Sequence, residues 1–350
     1  MTHAKGGAPS PAWLRRLGRP IRDARRHREQ LAEARRAWET EWTIERALDD
    51  LTRGSHPVIV GPWLSEVGYE TLYWIPFLRW VRDAFRLDPA RVVAVSRGGV
   101  ASWYDGIADR YVELWERMSP EQYATRIAER GAVKQLVDAD FDREIVADVQ
   151  KTIGLSHARV LHPSLMYQLF ALYWSGHRAQ SFLDAHTRYT RMAPPANVTL
   201  PALPDDYIAV KFYAARSMPD TPKIRALLAD IVSRLSEECP VVLLDTGLVL
   251  DEHTDYDLGG GRVMSARSWM TPQTNLGVQT RIIAGARAFV GTCGSVAWLA
   301  PMLGVPTSAY FVDPKWLHAH LGVALRATHR AEAARFSACD LRALHPLTEL

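Results

Sequence analysis

Residues 279–311 read QTRIIAGARAFVGTCGSVAWLAPMLGVPTSAYF, and this stretch determines the fold class. Its segments Ala288 to Gly291 and Thr307 to Val312 are short, apolar and rich in β-branched and aromatic residues, which predicts two buried strands. The segment between them, Ser295 to Leu303, has the apolar content of a buried helix. Strand, helix and strand in succession are typical of a parallel sheet, so the stretch predicts an α/β protein.

The same stretch has to be distinguished from a membrane span, because no charged residue occurs from Ala288 to Val312. Glycines and prolines interrupt it repeatedly: Gly291, Gly294, Pro301, Gly304 and Pro306. Such residues mark turns between short elements rather than one long helix. We therefore expect this stretch to be buried inside a protein core.

The alternation of strands and helices occurs twice along the 350-residue chain, which is long for a single core. In the first half we predict strands at 58–62, 91–95 and 158–161, helices at 65–85 and 163–175, and a mostly helical region at 106–155. In the second half we predict strands at 207–213, 240–246, 288–291 and 307–312, with helices at 221–238, 275–287 and 295–303. This pattern predicts two Rossmann-like lobes, each with a parallel sheet.

Prolines set the predicted boundary between the lobes. Four of them fall between residues 192 and 206, where they interrupt both helices and central strands. The predicted parts are a basic helical arm at 1–52, an N-terminal lobe at 53–195, a linker at 196–206, a C-terminal lobe at 207–335 and a tail at 336–350. We expect the tail to pack back on the first lobe.

The N-terminal arm differs in charge from the rest of the chain. Residues 5–36 contain ten basic and three acidic side chains, whereas the net charge of the whole chain is only +3. Two interpretations fit this segment: a solvated helix or loose arm, or a peripheral contact with an anionic membrane surface. Because no apolar signal segment precedes it, we expect a cytoplasmic protein that is at most peripheral to the membrane.

Several classes of site are disfavoured by the sequence. Cys239, Cys293 and Cys339 lack the spacing of a zinc site, and such a sparse set fits a reducing compartment. The near-neutral net charge argues against a nucleic-acid partner. The pairs Asp138/Asp140 and Asp255/Asp257 have DxD spacing but fall in a predicted helix and a polar loop. We therefore expect neither a metal ion nor a cofactor, and the motifs GxGxxG, GxxxxGK[ST], HExxH and GxSxG are absent.

The carboxyl ends of the second-half strands form the candidate ligand site, since ligands of open α/β sheets bind there. Glycines allow a close approach to the backbone, and the N–H groups at a helix start favour an anion. Nearby lysine and arginine side chains would add positive charge. We predict a phosphate-binding site made of Lys211, Arg216, Asp245, Thr246, Gly247, Gly291, Thr292, Cys293, Gly294 and Ser295. The alternative is a tight strand–helix turn capped by Ser295.

The block 279–311 resembles the donor-binding segment of GT-B glycosyltransferases, and is most similar to heptosyltransferase-like and fucosyltransferase-like members. The resemblance lies in the strand ending at Gly291, the small hydroxylated turn 292–295 and the segment WLAPMLGVP at 298–306. It implies a nucleotide-sugar donor in the C-terminal lobe, an acceptor in the N-terminal lobe and transfer without an obligatory metal ion. One position departs from the family, because Cys293-Gly294 stands where an acidic residue often occurs.

The first lobe would then supply the acceptor side and the general base. Transfer with inversion needs a base near the acceptor hydroxyl. Glu66, in the first strand–helix loop, is the candidate base and Glu70 is the second candidate; alternatively, Glu66 only offsets the helix dipole. The predicted acceptor-side residues are Trp63, Ser65, Gly68, Tyr69, Arg97 and Gly98.

These features predict an inverting GT-B-type glycosyltransferase of polysaccharide biosynthesis or a related pathway. Its partners would be a nucleotide-sugar donor and a hydroxyl acceptor on a glycan, lipid or natural product. Two alternatives stay open: a nucleotide-sugar epimerase of the same fold, and a non-catalytic module that binds sugar nucleotides or a membrane surface. Retention rather than inversion also stays open, because it depends on geometry.

Overall fold

A computed structural model describes residues 12–248 and 253–343, with side chains described from residue 27 onward. The first described element is a 41-residue helix, α1 (Ala12–Thr52). The C-terminal part of α1 lies against the first lobe, because Ala37, Ile44 and Leu48 share one face and are buried in its core. The first eleven residues of the predicted arm lie outside the described residues.

The first lobe contains a four-stranded parallel sheet with the order β3-β2-β1-β4. Its strands are β1 (Val58–Val60), β2 (Val92–Ser96), β3 (Arg110–Glu113) and β4 (Arg159–Leu161). Every residue of β1 and β2 is buried, as expected for apolar strands that are covered on both faces. Their carboxyl ends lie at the same edge, where the loops beginning at Gly61 and Arg97 follow.

Helices cover both faces of this sheet. α2 (Val67–Tyr69), a π-helical turn (Glu70–Trp74) and α3 (Ile75–Phe85) follow each other without a break in the region predicted as one helix. The remaining helices are α4 (Pro120–Arg130), α5 (Asp140–Ile153), α6 (Pro163–Trp174) and α7 (Gln180–Ala185).

The prediction of a mostly helical region at 106–155 is only partly correct. Residues 110–113 form the edge strand β3, in which Glu113 pairs in register with Ser96 of β2. A strand that begins Arg-Tyr and ends in Glu lacks the apolar run by which central strands are recognised. α4 then begins at a capping box of Ser119 and Gln122, and ends at Gly131 in the left-handed region.

The second lobe contains a six-stranded parallel sheet and a separate antiparallel pair. Its strands are β5 (Ile208–Lys211), β6 (Tyr213–Ala214), β7 (Val241–Leu243), β8 (Thr254–Asp255), β9 (Val263–Ser265), β10 (Ala288–Thr292), β11 (Thr307–Phe311) and β12 (Phe336–Asp340). The order in the large sheet is β12-β11-β10-β5-β7-β9, whereas β6 pairs with β8. The helices are α8 (Pro222–Glu238), α9 (Asn275–Gly285), α10 (Val296–Leu299) and α11 (His318–Arg330). The predicted pair of parallel-sheet lobes is thus confirmed.

The prediction for the tail at 336–350 is wrong in its first residues. Phe336–Asp340 form β12, which pairs in parallel with β11 at the edge of the second sheet. The alternating, partly polar sequence FSACD suits an edge strand, and its pairing partner 29 residues earlier could not be recognised from sequence. It is α11 that reaches the first lobe, where Arg326 and Arg330 form ion pairs with Asp184.

The uncharged stretch 288–312 lies inside the second lobe, as the glycines and prolines predict. β10 is central, between β5 and β11, and α10 follows it directly. Within the described ranges, no helix combines the length and the apolar character that a bilayer span requires.

Gly291 offers a direct test of this sheet. It pairs with Lys211 of β5, and a Cβ atom at this position would lie 2.3 Å from the Lys211 carbonyl oxygen. We expect Gly291→Ala to push β10 and β5 apart and to lower the free energy of unfolding by roughly 1–3 kcal/mol. Urea unfolding followed by circular dichroism measures this loss.

Gly322 is the matched control, because it is exposed on α11 and a Cβ there would meet no atom within 4 Å. Gly322→Ala should leave stability unchanged or raise it by up to about 1 kcal/mol, since alanine is the better helix former. Equal unfolding midpoints for the two variants would show that the close β5–β10 approach is not a constraint.

Candidate functional site

A cavity lies between the two lobes at the carboxyl ends of β5, β7 and β10. Its volume is about 80 Å³. The first lobe contributes Val67, Arg97 and Trp115, and the second contributes Lys211, Tyr213, Thr246, Leu248, His253, Asp255, Asn275, Leu276, Gln279 and Ser295. Of the residues predicted to bind phosphate, Lys211, Thr246 and Ser295 therefore lie together at the cavity.

Lys211 and Thr246 already hold an anion from the chain itself. Lys211 Nζ lies 3.2 Å from Asp255 Oδ1 and donates to the Leu244 carbonyl oxygen at 2.8 Å. The amide and the hydroxyl of Thr246 both donate to Asp255 Oδ2, at 2.7 and 3.2 Å. The Asp255 carboxylate thus occupies the donors that a phosphate group would use. Asp255 was noticed in the sequence only as part of a DxD pattern, because its partners are distant in sequence.

The turn 291–295 is less open than its sequence indicates. The Thr292 hydroxyl bonds to both the amide and the carbonyl of Tyr213, and the Cys293 amide donates to the Tyr310 carbonyl oxygen. Burial raises the pKa of the Cys293 thiol to about 12, so this thiol is not a nucleophile at neutral pH. Ser295 makes no side-chain cap bond; its φ is 43°, and it is the turn residue that lines the cavity.

The start of the following helix is covered by the other lobe. α10 has only four residues, and a Cβ atom at Gly68 would lie 3.0 Å from the Ser295 backbone nitrogen. It would also lie 3.0 Å from the Trp298 ring. The backbone of Gly68 therefore packs directly against the predicted anion-binding helix start. In this arrangement of the lobes, that start is not open to a diphosphate.

Seven of the ten predicted phosphate ligands are absent from the cavity lining, and three of these seven lie outside the turn 291–295. Arg216 is exposed and lies over the Trp316 ring, 5.0 Å from its centroid. Asp245 accepts from Ser265 Oγ at 2.6 Å and pairs with Arg267 at 3.1 Å. Gly247 has a positive φ of 66° and lies beside the same arginine. Gly291 and Gly294, two further predicted ligands, pack closely against other residues of the second lobe. Gly291 lies against Lys211, and Gly294 lies against Tyr213.

The predicted acceptor residues of the first lobe divide into core and cavity. Trp63 is fully buried and stacks between Trp74 and Tyr167, with centroid distances of 5.7 and 6.1 Å. Ser65 is buried as well and donates to the Val133 carbonyl oxygen. These two positions are therefore part of the packing that supports the loop. They do not offer a surface to an acceptor.

Arg97 and Gly98 lie in a turn that is filled by a carboxylate. The amides of Gly98 and Gly99 donate to Glu113 at 2.9 and 2.7 Å. Arg97 donates to the carbonyl oxygen of Ser65 at 2.8 Å and lines the cavity. Glu113 was missed from sequence because its segment was assigned to a helix. Its position at the end of a strand beside a Gly-Gly turn would have been the signal.

The two candidate bases have different surroundings. Glu70 is fully buried, and its Oε1 accepts hydrogen bonds from Ser96 and Tyr104 at 2.6 and 2.7 Å. Its burial raises the pKa of the carboxyl to about 7. Glu66 is half-buried at the start of α2, and its charge contributes to the raised pKa of Tyr213, after burial and Cys293. Glu66 is thus partly accessible, whereas Glu70 lies in the core, and neither carboxylate is among the residues that line the cavity.

A hydrogen-bonded cluster joins the lobes beside the cavity. Tyr69 Oη contacts His320 Nε2 at 3.0 Å and accepts from Lys134 Nζ at 2.7 Å. Tyr73 Oη contacts the other ring nitrogen of His320 at 2.7 Å. Burial, and then the charge of Lys134, lower the pKa of His320 to about 4. We name Tyr69, Tyr73, Lys134 and His320 the interlobe cluster; of these four, only Tyr69 is among the predicted acceptor-side residues.

No known protein family and no curated protein matches the sequence. Among solved structures, ADP-heptose LPS heptosyltransferase II of E. coli matches with a TM-score of 0.37 and 12% identity, over 74% of this chain and 86% of its own. E. coli heptosyltransferase WaaC, solved with ADP, has a TM-score of 0.38 and 14% identity, over 74% and 88%. A putative UDP-N-acetylglucosamine 2-epimerase from Listeria monocytogenes has a TM-score of 0.36 and 10% identity, over 81% and 92%.

Glu70 and His320 predict opposite effects of pH on stability. The pKa of Glu70 is raised in the folded chain, so the stability that this shift contributes is lost as pH rises from about 4.5 to about 7. The pKa of His320 is lowered, so its contribution is lost as pH falls from about 6.5 to about 4. The two effects oppose each other in the shared range. We expect Glu70→Gln to reveal an additional loss of stability on acidification from pH 6.5 to 4.5, of roughly 2–3 kcal/mol relative to wild type.

Urea unfolding at several pH values measures this difference. Glu129→Gln, at an exposed carboxylate of α4, is the control and should follow the wild-type pH profile. Parallel profiles for wild type and Glu70→Gln would mean that folding does not raise the pKa of Glu70.

Proposed function

We propose that this chain is a glycosyltransferase that moves a sugar from a nucleotide-sugar donor to a hydroxyl acceptor. The observation that supports this function is that one cation from each lobe, Arg97 and Lys211, lines the same cavity at the carboxyl ends of parallel strands. A departing nucleoside diphosphate needs positive potential where its charge develops. Two fixed cations on opposite walls supply that potential to a donor diphosphate between the lobes.

Donor entry requires the lobes to separate. Sites for small molecules usually enclose about 300–1,000 Å³, whereas this cavity encloses about 80 Å³. A wider groove of about 550 Å³ adjoins it and shares Trp115 and Leu248 with it. We place the diphosphate in the inner cavity and the nucleoside in the outer groove, with the contact between Gly68 and Ser295 opening to admit them.

Asp255 acts as an internal competitor in this proposal. Its carboxylate holds Lys211 and Thr246 in place when no donor is bound. A diphosphate carries more negative charge than a carboxylate and offers more acceptor oxygens, so it would take over these donors. The positive charge of Lys211 would thus be neutralised by Asp255 before the donor binds and by the diphosphate afterwards.

Glu66 is the proposed general base. It is half-buried immediately before α2, and the next residue, Val67, lines the cavity. A carboxylate in that position accepts the proton of an acceptor hydroxyl that attacks the sugar from the first-lobe side. Glu70 is a poor second choice because no part of it is exposed.

An epimerase of the same fold is the alternative enzyme, and a binding module without activity is the third. Both would use the same cationic cavity, so nucleotide binding alone does not separate them. The product separates them. A transferase yields a glycoside and a nucleoside diphosphate, an epimerase yields an isomeric sugar nucleotide, and a binding module leaves the donor unchanged.

Substitutions of Lys211 and of Glu66 should impair different steps, binding and reaction. In a thermal-shift screen of nucleoside diphosphates and nucleotide sugars, a ligand at 100 times its Kd stabilises wild type by ~2.7 kcal/mol. We expect Lys211→Met to lose this stabilisation. Glu66→Gln should keep it but lose about 10²- to 10⁴-fold in the rate of nucleoside diphosphate release in the presence of acceptor.

Two variants serve as controls for this test. Asp255→Asn removes the competing carboxylate while Lys211 remains, so it should bind nucleoside diphosphates as well as or better than wild type. Glu129→Gln changes an exposed carboxylate far along α4 and should behave as wild type. Unchanged nucleotide binding by Lys211→Met would contradict the assigned position of the diphosphate.

We also propose that α1 contacts an anionic membrane surface. Leu31, Trp38 and Trp42 follow each other at steps of seven and four residues, so they share one face, and all three are exposed. Exposed arginines accompany them, with Arg35 on the same side and Arg46 over the Trp42 ring. Aromatic side chains with flanking arginines suit the interface of an anionic bilayer.

Removal of this aromatic pair should weaken vesicle binding. Trp38 and Trp42 are 59% and 49% exposed, so the Trp38→Ala/Trp42→Ala variant should fold normally. In sedimentation with phosphatidylglycerol-containing vesicles, we expect the bound fraction to fall severalfold and wild-type binding to weaken with salt. Trp316→Ala is the control, because Trp316 is 45% exposed but lies on the second lobe. Equal sedimentation of the two variants would exclude α1 as the contact.

A further inference from the structure

Three metal-ligating side chains meet where α1 packs on the first lobe, away from the cleft. Glu41 and Glu45 are one helical turn apart on α1, and His186 follows the last residue of α7. One candidate ligand atom from each of them lies within 4.8 Å of the other two. No part of the proposed transfer reaction uses these residues.

The hydrogen bond of the histidine ring determines which of its two nitrogens can bind a cation. His186 Nδ1 lies 2.8 Å from the Phe182 carbonyl oxygen, which can only accept, so this nitrogen carries the ring proton. The other nitrogen, Nε2, lies 3.2 Å from Glu45 Oε1. On a neutral imidazole, Nε2 presents a lone pair, and two acceptor atoms at this distance repel unless a cation joins them. The ring is buried, with only 7% of the side chain exposed.

A second cluster in the same lobe shows the opposite arrangement. Asp138, Asp142 and His162 also bring their ligand atoms within 4.8 Å. There, His162 Nδ1 accepts from the Ser164 amide at 3.2 Å, so the proton of a neutral ring is on Nε2, the atom that faces Asp142. Asp142 is also paired with Arg130 at 3.0 Å. That cluster is satisfied by its own hydrogen bonds and needs no added cation.

Distances and charge in the first cluster suit a small divalent ion. Zinc bonds to nitrogen and oxygen of about 2.0–2.2 Å place neighbouring tetrahedral ligands roughly 3.3 Å apart. The His186–Glu45 distance of 3.2 Å matches this spacing. Arg178 donates from Nε and Nη2 to the same oxygen of Glu41, which leaves the second oxygen of that carboxylate for a metal. Two carboxylates and one guanidinium leave a net negative charge around the imidazole.

We propose that Glu41, Glu45 and His186 form a binding site for one divalent transition-metal ion of the zinc type. A hydrogen bond from the unligated ring nitrogen to a carbonyl oxygen is the arrangement that orients metal-binding histidines in proteins. The ligands come from α1 and from the segment after α7, so the ion fastens the N-terminal helix to the first lobe. Metal binding of this kind stabilises the folded chain, because the unfolded chain has no preformed site.

Isothermal titration of the EDTA-treated full chain with Zn²⁺ tests the site. We expect one equivalent to bind and to raise the melting temperature. Glu41→Gln and Glu45→Gln should each weaken Zn²⁺ binding at least about tenfold, and His186→Gln should abolish this site. Both glutamates are partly exposed, so the two glutamine variants should fold, and circular dichroism verifies this.

Asp49→Asn provides the matched control. Asp49 lies one turn after Glu45 on α1 and pairs with Arg53, outside the cluster. Its variant should bind Zn²⁺ as wild type does. If wild type binds no Zn²⁺, or if Glu45→Gln binds it as tightly as Asp49→Asn does, the metal site is refuted. The contact between His186 and Glu45 is then an imidazolium–carboxylate pair.

Discussion

The arrangement of the cleft depends on backbone-to-backbone contact between the lobes at glycines. The Gly277 amide donates to the Gly98 carbonyl oxygen at 2.8 Å, and a Cβ at Gly277 would lie 2.6 Å from the Gly99 carbonyl oxygen. Gly68 makes the equivalent approach to the Ser295 amide. Side chains at these positions would hold the lobes apart. The glycines therefore allow a closed cleft with a cavity of about 80 Å³.

The closed cleft is neutralised by its own carboxylates. Glu113 fills the turn formed by Gly98 and Gly99, and Asp255 fills the position between Lys211 and Thr246. Unpaired backbone amides and buried cations are costly, so each of these donor groups needs an acceptor, which here is a carboxylate. A loop built to receive an anionic ligand and a loop that binds an internal carboxylate share the same sequence features. This is why glycines and cations alone predicted that Lys211, Thr246 and Ser295 lie together, but did not reveal the carboxylate that Lys211 and Thr246 bind.

The sequence was informative wherever a local pattern determines the structure. β1, β2, β10 and β11 were found because apolar β-branched runs indicate buried strands. β3 and β12 were missed or misassigned because edge strands tolerate the polar residues of RYVE and FSACD. The convergence of Lys211, Thr246 and Ser295 followed from parallel topology. Arg216 and Asp245 failed to join them because each has another contact, with Trp316 and Arg267, that no local pattern reveals.

Under the proposed function, a donor that enters the cleft has to break contacts between the lobes. The contacts to be broken include the two tyrosine bonds to His320 and the bond from Trp103 to Thr280. Each such hydrogen bond contributes roughly 0.5–1.5 kcal/mol net, because the separated groups bond to water instead. A ligand of micromolar affinity binds with about 8.2 kcal/mol. Under the proposed function, these three bonds would together contribute roughly 1.5–4.5 kcal/mol, which is less than the binding free energy of a donor of micromolar affinity.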